Sequence, residues 1–282
     1  SYSEDIPVIL KRVYAARAVS ESQLSMALPG LLKPSFDQLN IALDLLERCI
    51  LEDQRILIVG DFDADGATAS AVAIKALRLM GAKHVDFLVP NRFKHGYGLS
   101  PEIVQEAKTD KDPNLIITVD NGISSNEGAA LARSLAIDVI ITDHHLPPKV
   151  LPEANSIINP NLRGCDFPSK NLAGVGVCFY LFSALKTHLA GKGYFEAHNI
   201  QVPDLRELLD LVALGTVADV VKLDQNNRIL VNEGIKRIRQ KLCSKGILAI
   251  LELTKRPIDT LHASDLGFTV APRITAARRF SD

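Results

Sequence analysis

The sequence predicts an α/β fold: a doubly wound, mostly parallel sheet with a helical segment before it and a helical part after it. Two observations carry this. From Arg55 onward, short runs rich in β-branched residues alternate with stretches of helical spacing, the pattern of βαβ units around a parallel sheet. The intervening stretches also begin or end on capping and stop residues.

The elements follow in order. Residues 1–52 read as helical: apolar residues from Leu39 to Ile50 recur at roughly 3.6-residue spacing, and Pro29, Gly30 and Pro34 interrupt the pattern before them. The strand runs are ILIVG at 56–60, VDFLVP at 85–90, LIITVD at 115–120 and DVIITD at 138–143. Helices are predicted over 67–80, stopped by Gly81, over 101–108, capped by Ser100, and over 125–135, following Ser124. Beyond SIINP at 156–160 the chain turns mostly helical, over 173–190, 204–214 and 227–241. The expected division is a helical segment 1–52, an α/β domain 53–222 and a helical extension 223–282. There is no internal repeat and no low-complexity tract.

Composition bounds the function classes. A chain of 282 residues, 47% hydrophobic and 23% charged, has enough apolar material for a sizeable core and little room for long disordered tracts. Cys49, Cys165, Cys178 and Cys243 form no CxxC pair, which argues against a zinc ribbon or a disulfide framework and for a reduced setting. No apolar run approaches the ~20 residues of a membrane span. The polar start lacks the regions of a signal peptide, so the expectation is a cytoplasmic protein with no membrane partner. A net charge of −1 gives no global attraction to nucleic acid; any such binding must come from local arginines, lysines and bound cations.

The chemistry-bearing residues sit where the strands end. The first strand runs into Gly60-Asp61-Phe62-Asp63-Ala64-Asp65-Gly66, the third into Asp120-Asn121-Gly122 and the fourth into Asp143-His144-His145. Open α/β sheets place ligands beyond these strand ends. A lone Asp after a strand is commonly a helix cap or turn residue, and Asp219, at the end of an apolar helix, fits that reading equally well. Three strand ends converging with so many anions require a cation. Oxygen ligands with one or two imidazoles and no thiolate suit Mn²⁺ or Mg²⁺, and the number of carboxylates suits two ions. Two ions ~4 Å apart serve hydrolysis of a phosphate ester or anhydride. No GxxxxGK[ST] loop is present, and Gly174-Val175-Gly176 lacks the rest of a dinucleotide fingerprint, so that glycine pair reads as packing.

GDFDADG at 60–66, DNG at 120–122, DHH at 143–145 and GTVAD at 215–219 resemble, in order and spacing, the motifs of the DHH phosphoesterase superfamily. VPNRFKHGYGLSP at 89–101, VDNGIS at 119–124, INPN at 158–161, LAGVGVCF at 172–179 and GTVADVVKLDQNNR at 215–228 resemble its RecJ-type exonucleases. The resemblance implies that Asp63, Asp65, Asp120, His144 and Asp219 hold the metal ions, with Asp120 between them. Asp61, Asp143 and His145 then lie close by in catalytic positions. His145 either protonates the leaving 3′ oxygen or acts as a hydrogen-bonding neighbour. The loop at 91–98 would offer Arg92 to a phosphate and Tyr97 to a base.

The string Ala271-Pro272-Arg273-Ile274-Thr275-Ala276-Ala277-Arg278-Arg279-Phe280 resembles the family's fifth motif, with Arg273 and Arg279 matching as contacts to the DNA backbone. Thr275 replaces the family's Asn and Phe280 its Leu, which puts substrate positioning there in doubt. The basic run at 236–241 reads as a solvated helix face.

The resemblance implies a metal-dependent 5′-to-3′ exonuclease core that degrades single-stranded DNA to 5′ mononucleotides in repair and recombination. Its partners would be single-stranded DNA and other repair or single-strand-binding proteins. Family members continue into a DHH-associated domain and an OB-fold, so the expectation is a truncated core that binds metal but digests DNA weakly. Two other readings stay open: a DHH phosphohydrolase for oligonucleotides, cyclic dinucleotides or pyrophosphate, and a nucleic-acid-binding scaffold without catalysis.

Overall fold

The computed structural model describes residues 2–90 and 96–280; for residues 278–280 it describes the helical backbone alone. Five parallel strands, β1 (Ile56–Gly60), β2 (Val85–Leu88), β3 (Leu115–Val119), β4 (Asp138–Thr142) and β5 (Ser156–Ile158), form one sheet in the order β2-β1-β3-β4-β5. Every residue of β1 and β3 is buried. Helices cover both faces of the sheet, which is why these strands read as continuous apolar runs rather than alternating ones.

The helices are α1 (Val8–Ala16), α2 (Leu39–Leu51), α3 (Ala64–Leu79), α4 (Pro101–Asp110), α5 (Asn126–Ser134) and α6 (Gly174–Gly191). They continue with α7 (Leu209–Ala218), α8 (Gln225–Arg239), α9 (Lys245–Leu253) and α10 (Ala271–Phe280), besides short helical turns. Side chains alternate across the sheet. Ile56, Ile58, Leu115 and Ile117 point into a core shared with α2, α3, α6 and α7. Leu57, Val59, Ile116 and Val139 point into a second core shared with α4 and α5. The sheet is therefore doubly wound, as the sequence predicts. The helices after residue 209 add Leu230, Ile238, Leu251 and Leu266 to the first of these cores.

Several boundaries differ from expectation for identifiable reasons. Helix α3 starts at Ala64 rather than 67, because the Asp63 carboxylate accepts from Gly66 N at 3.0 Å and caps it. Asp65 is thereby placed in the first helical turn. Ser125, not Ser124, stands at the head of α5. Strand β5 was not expected as a strand; three residues are too few to show a period, and its place comes from pairing with β4. The π-helical turn Leu266–Val270 was also unanticipated.

The basic run at 236–241 is partly engaged rather than wholly solvated: Lys236 pairs with Glu233 at 2.6 Å and Arg239 donates to Leu261 O. All four cysteines are free. No helix among the described residues is long and apolar enough to cross a membrane.

Phe167, fully buried, stacks on Phe36 with ring centroids 4.7 Å apart and meets Tyr180 edge-on at 5.0 Å. Removing the ring leaves a cavity that three separate segments line. Urea denaturation of Phe167→Ala should show a loss of about 3–5 kcal/mol; a loss below about 1 kcal/mol would show that this junction repacks freely.

Candidate active site

The order β2-β1-β3-β4-β5 reverses direction between β1 and β3, and the crevice beyond the carboxyl ends of those two strands is where open α/β sheets bind ligands. The chain is fastened there. Asn121 donates from Nδ2 to Val59 O at 3.1 Å and to Val119 O at 3.0 Å, joining the two strand ends. Asp120 takes a left-handed backbone, φ +62°, a conformation that Asp tolerates better than most residues. Its N–H donates to Thr142 O at 3.0 Å. Thr118 Oγ1 donates to Asn121 O and Thr142 Oγ1 to Thr118 O, both at 2.8 Å.

This scaffold converges three sets of ligand atoms, each set lying within 4.8 Å: Asp61, Asp63 and Asp120; Asp120, His144 and His145; Asp65, His144 and Asp219. Asp120 and His144 each belong to two sets, so the three form one continuous site. All eight residues expected from the sequence at the centre are brought together; Asp143 supports them, as described below. His144 Nε2 lies 3.2 Å from Asp120 Oδ1 and 3.4 Å from Asp219 Oδ2. Yet both His144 Nε2 and Asp120 Oδ1 are buried without a hydrogen-bond partner. Buried polar atoms are rarely left so, and a pair aimed at shared space fits a cation bound between them. Oxygen donors with imidazole nitrogen match a hard or borderline divalent ion.

The electrostatics show the same need for positive charge. Burial, opposed in part by the Phe62 N–H and reinforced by Asp63, pushes Asp61 up to about 6. Asp65 is pushed well above the usual carboxylate range by burial and by Asp120 and Asp219. Burial, with Asp63, Asp143 and Asp61 as neighbours, does the same to Asp120. Asp219 is raised by burial, although His144 opposes the shift.

Asp143 goes the other way. Burial works against its ionisation, but the His145 ring and the N–H groups of Ile123 and His145 outweigh it and hold the carboxyl below the usual range. Asp143 Oδ1 accepts from His144 N at 2.7 Å, from His145 N at 3.1 Å and from His145 Nδ1 at 2.7 Å; Oδ2 accepts from Ile123 N at 2.9 Å. The His145 ring is raised by that hydrogen bond to Asp143.

A cleft of about 760 Å³ opens over the site, lined by Asp61, Asp63, Tyr97, Asp143 and His145 and by the first turns of α4 and α5. Tyr97 is half exposed there, with its OH 3.5 Å from Asp120 O and its ring edge-on to His145. A smaller opening of about 390 Å³ reaches Asp63 and Asp65 from the side of α10, where Thr275 forms part of the wall. Arg273 does not join the cluster; it is exposed and donates to Thr269 O at 2.7 Å. Arg92 lies outside the described residues, as does the side chain of Arg279.

Sequence reasoning missed three contributors. Asn159 donates to His145 O at 2.9 Å and Asn161 to His144 O at 2.5 Å, holding the backbone of both histidines. INPN carried that signal only as a motif, since an Asn in a loop has many uses. The glycine pair needs correction too. Gly176 packs against Leu172, as expected, but Gly174 N–H donates to Asp65 Oδ2 at 2.6 Å, so it belongs to the site.

A sequence model of the DHH family, N-terminal domain, matches residues 55–216, more than half of the chain. The chain belongs to the DHH family. Its DHH motif is Asp143-His144-His145. The single-stranded-DNA-specific exonuclease RecJ of Salmonella typhimurium is 54% identical over 99% of this chain, which covers 48% of that protein. The chain thus spans about half the length of the curated relatives it matches. Among solved structures, exonuclease RecJ bound to manganese superposes with a TM-score of 0.75 at 33% identity, over 89% of this chain and 60% of that one. RecJ in complex with Mn²⁺ from Thermus thermophilus gives 0.72 at 30% identity, over 99% of this chain and 40% of that one.

Because Asp61, Asp65, Asp120 and Asp219 bind protons more tightly folded than unfolded, the stability they contribute is full at low pH and lost as pH rises through their raised values. Asp143 contributes the reverse, losing stability as pH falls. In EDTA the contribution of these four raised groups to the urea midpoint should therefore fall as pH rises from about 4 through the value of about 6 reached by Asp61. In Asp120→Asn this fall should be shallower; an equal slope would show that the cluster does not set it.

Proposed function

We propose that this chain is the metal-dependent catalytic part of a single-strand-specific DNA exonuclease, working from the 5′ end and releasing 5′ mononucleotides. The observation that carries the reading is the buried, unpartnered pair Asp120 Oδ1 and His144 Nε2 at the junction of three ligand sets. Similarity to the single-stranded-DNA-specific exonuclease RecJ of several bacteria supports the substrate, while the 5′ polarity rests on the motif resemblance alone. The same resemblance makes repair or single-strand-binding proteins the proposed partners.

Asp63, Asp65, Asp120, His144 and Asp219 would hold two ions, Mn²⁺ or Mg²⁺, with Asp120 shared. Bound there, such ions supply an activated water and charge stabilisation for in-line displacement at phosphorus. The chain's own groups do the rest. Asp143, acceptor-only and ionised, fixes the His145 ring through Nδ1, leaving Nε2 for the cleft. The hydrogen bond to Asp143 raises the imidazole and so favours its protonated form, and His145 delivers that proton to the departing 3′ oxygen as the P–O3′ bond breaks. The N-terminal turns of α4 and α5 face the cleft with their positive ends, favouring an anionic strand. Tyr97 presents a ring on which a base stacks without being read.

The decisive experiment follows label release from 5′-labelled and 3′-labelled single-stranded DNA in Mn²⁺ or EDTA, with dinucleotides and pyrophosphate as competitors. Metal-dependent release from the 5′ end is expected, abolished in Asp120→Ala. Preference for the small phosphates would overturn the reading. His145→Gln should lower kcat by about 10²–10⁴-fold with little change in KM. Tyr97→Ala should instead raise KM, by the equivalent of ~1–3 kcal/mol of stacking.

A further inference from the structure

We propose that Gly174 is a positioning residue of the metal centre, and that the N-terminus of α6 is the part of the fold that sets both Asp65 and Asp120; this rests on the metal-binding role proposed above. The residue acts in two separable ways, through its N–H and through its missing side chain.

Helix α6 has no cap of its own. Its N-cap is Ala173, which has no side-chain oxygen to offer, whereas α3, α4 and α8 are capped by Asp63, Ser100 and Asp224. The first N–H groups of a helix need acceptors from elsewhere. Asp65 provides them from another helix: Oδ2 accepts from Gly174 N at 2.6 Å and Oδ1 from Val175 N at 2.9 Å. The carboxylate that receives these bonds is buried among other acids, and the positive helix end offsets part of its charge. Two N–H donors, one per oxygen, also fix the plane of the carboxylate. A carboxylate so fixed keeps one oxygen within 4.8 Å of ligand atoms of His144 and Asp219, with which Asp65 shares a ligand set.

Asp120 packs against the same point. A Cβ at residue 174 would lie 2.4 Å from Asp120 Oδ1 and 2.6 Å from its Cγ. Asp120 cannot retreat, since its left-handed backbone is tied to Thr142 O. Helix α6 cannot retreat easily either. Val175, Val177, Cys178, Leu181 and Leu185 are buried along it. The stretch before it is tethered to the start of α8: Ser169 Oγ donates to Asp224 Oδ2 at 2.7 Å, and Asn227 Nδ2 to Asn171 O at 2.6 Å. Gly176 offers a contrast two residues on, where an added Cβ would meet only the Leu172 side chain, at 3.1 Å.

The test compares wild type, Gly174→Ala and Gly176→Ala by Mn²⁺ titration, reading free Mn²⁺ by electron paramagnetic resonance, with circular-dichroism melts in EDTA as the control for folding. Gly174→Ala should bind Mn²⁺ about 10–100-fold more weakly, and Gly176→Ala within about twofold of wild type. A folded Gly174→Ala with wild-type affinity overturns the inference while leaving the metal centre intact. A wild type that takes up no Mn²⁺ instead defeats the metal reading, and the inference with it. Should Gly174→Ala not fold, amide exchange of the Mg²⁺-loaded wild type decides the matter. Protected Gly174 and Val175 amides support the clamp, and freely exchanging ones refute it.

Discussion

Mutual repulsion among buried carboxylates is the constraint on which the rest of this structure depends. Asp61, Asp65, Asp120 and Asp143 are all buried at the ends of three parallel strands, in a region where water cannot screen them. Each is answered differently. Asp143 is satisfied by N–H groups and an imidazole and stays ionised. Asp65 is held by a helix end. Burial and neighbouring acids raise Asp61 and Asp120, so their ionisation is costly until a cation arrives. The fold thus stores an electrostatic deficit at one point, and metal binding is the physical remedy for it.

Much of this was legible in the residues. Strands β1, β3 and β4 announce themselves because both sheet faces are covered, which turns each into an unbroken apolar run ending on an acid. Chain order then suffices to bring Asp61, Asp120 and Asp143 together, since parallel strands all end on one side. What stayed hidden depends on contacts distant in sequence. Strand β5 exists through its ladder to β4 and has no pattern of its own. The start of α3 turns on whether one of several aspartates caps a helix, and a string of three cannot say which. Asn159 and Asn161 act on histidines more than ten residues earlier, through backbone carbonyls that carry no sequence signal. Gly174 looks like any packing glycine until the carboxylates on either side of it are placed.

The site also divides labour between rigid and open parts. Asp65, Asp120 and Asn121 are locked into strand ends and helix termini, whereas His145 and Tyr97 stand half exposed on the cleft. Groups that hold a cation gain from rigidity, because ligand geometry decides affinity. Groups that meet a substrate of variable sequence gain from room to adjust. The region matched by the DHH family model, 55–216, runs from the first strand almost to Asp219 and takes in both parts.

Asp63 illustrates how such a site would age. Its carboxylate both caps α3 and belongs to the ligand set of Asp61 and Asp120. Were a descendant lineage to keep the fold and abandon the chemistry, the two duties would come under different selection. Ser, Thr or Asn at that position would preserve the helix start while discarding the charge. Asp61 and Asp120, freed from holding a cation, would drift to neutral residues and relieve the crowding. The first visible scar of lost catalysis would then be a neutral cap at 63, in a domain more stable than its ancestor.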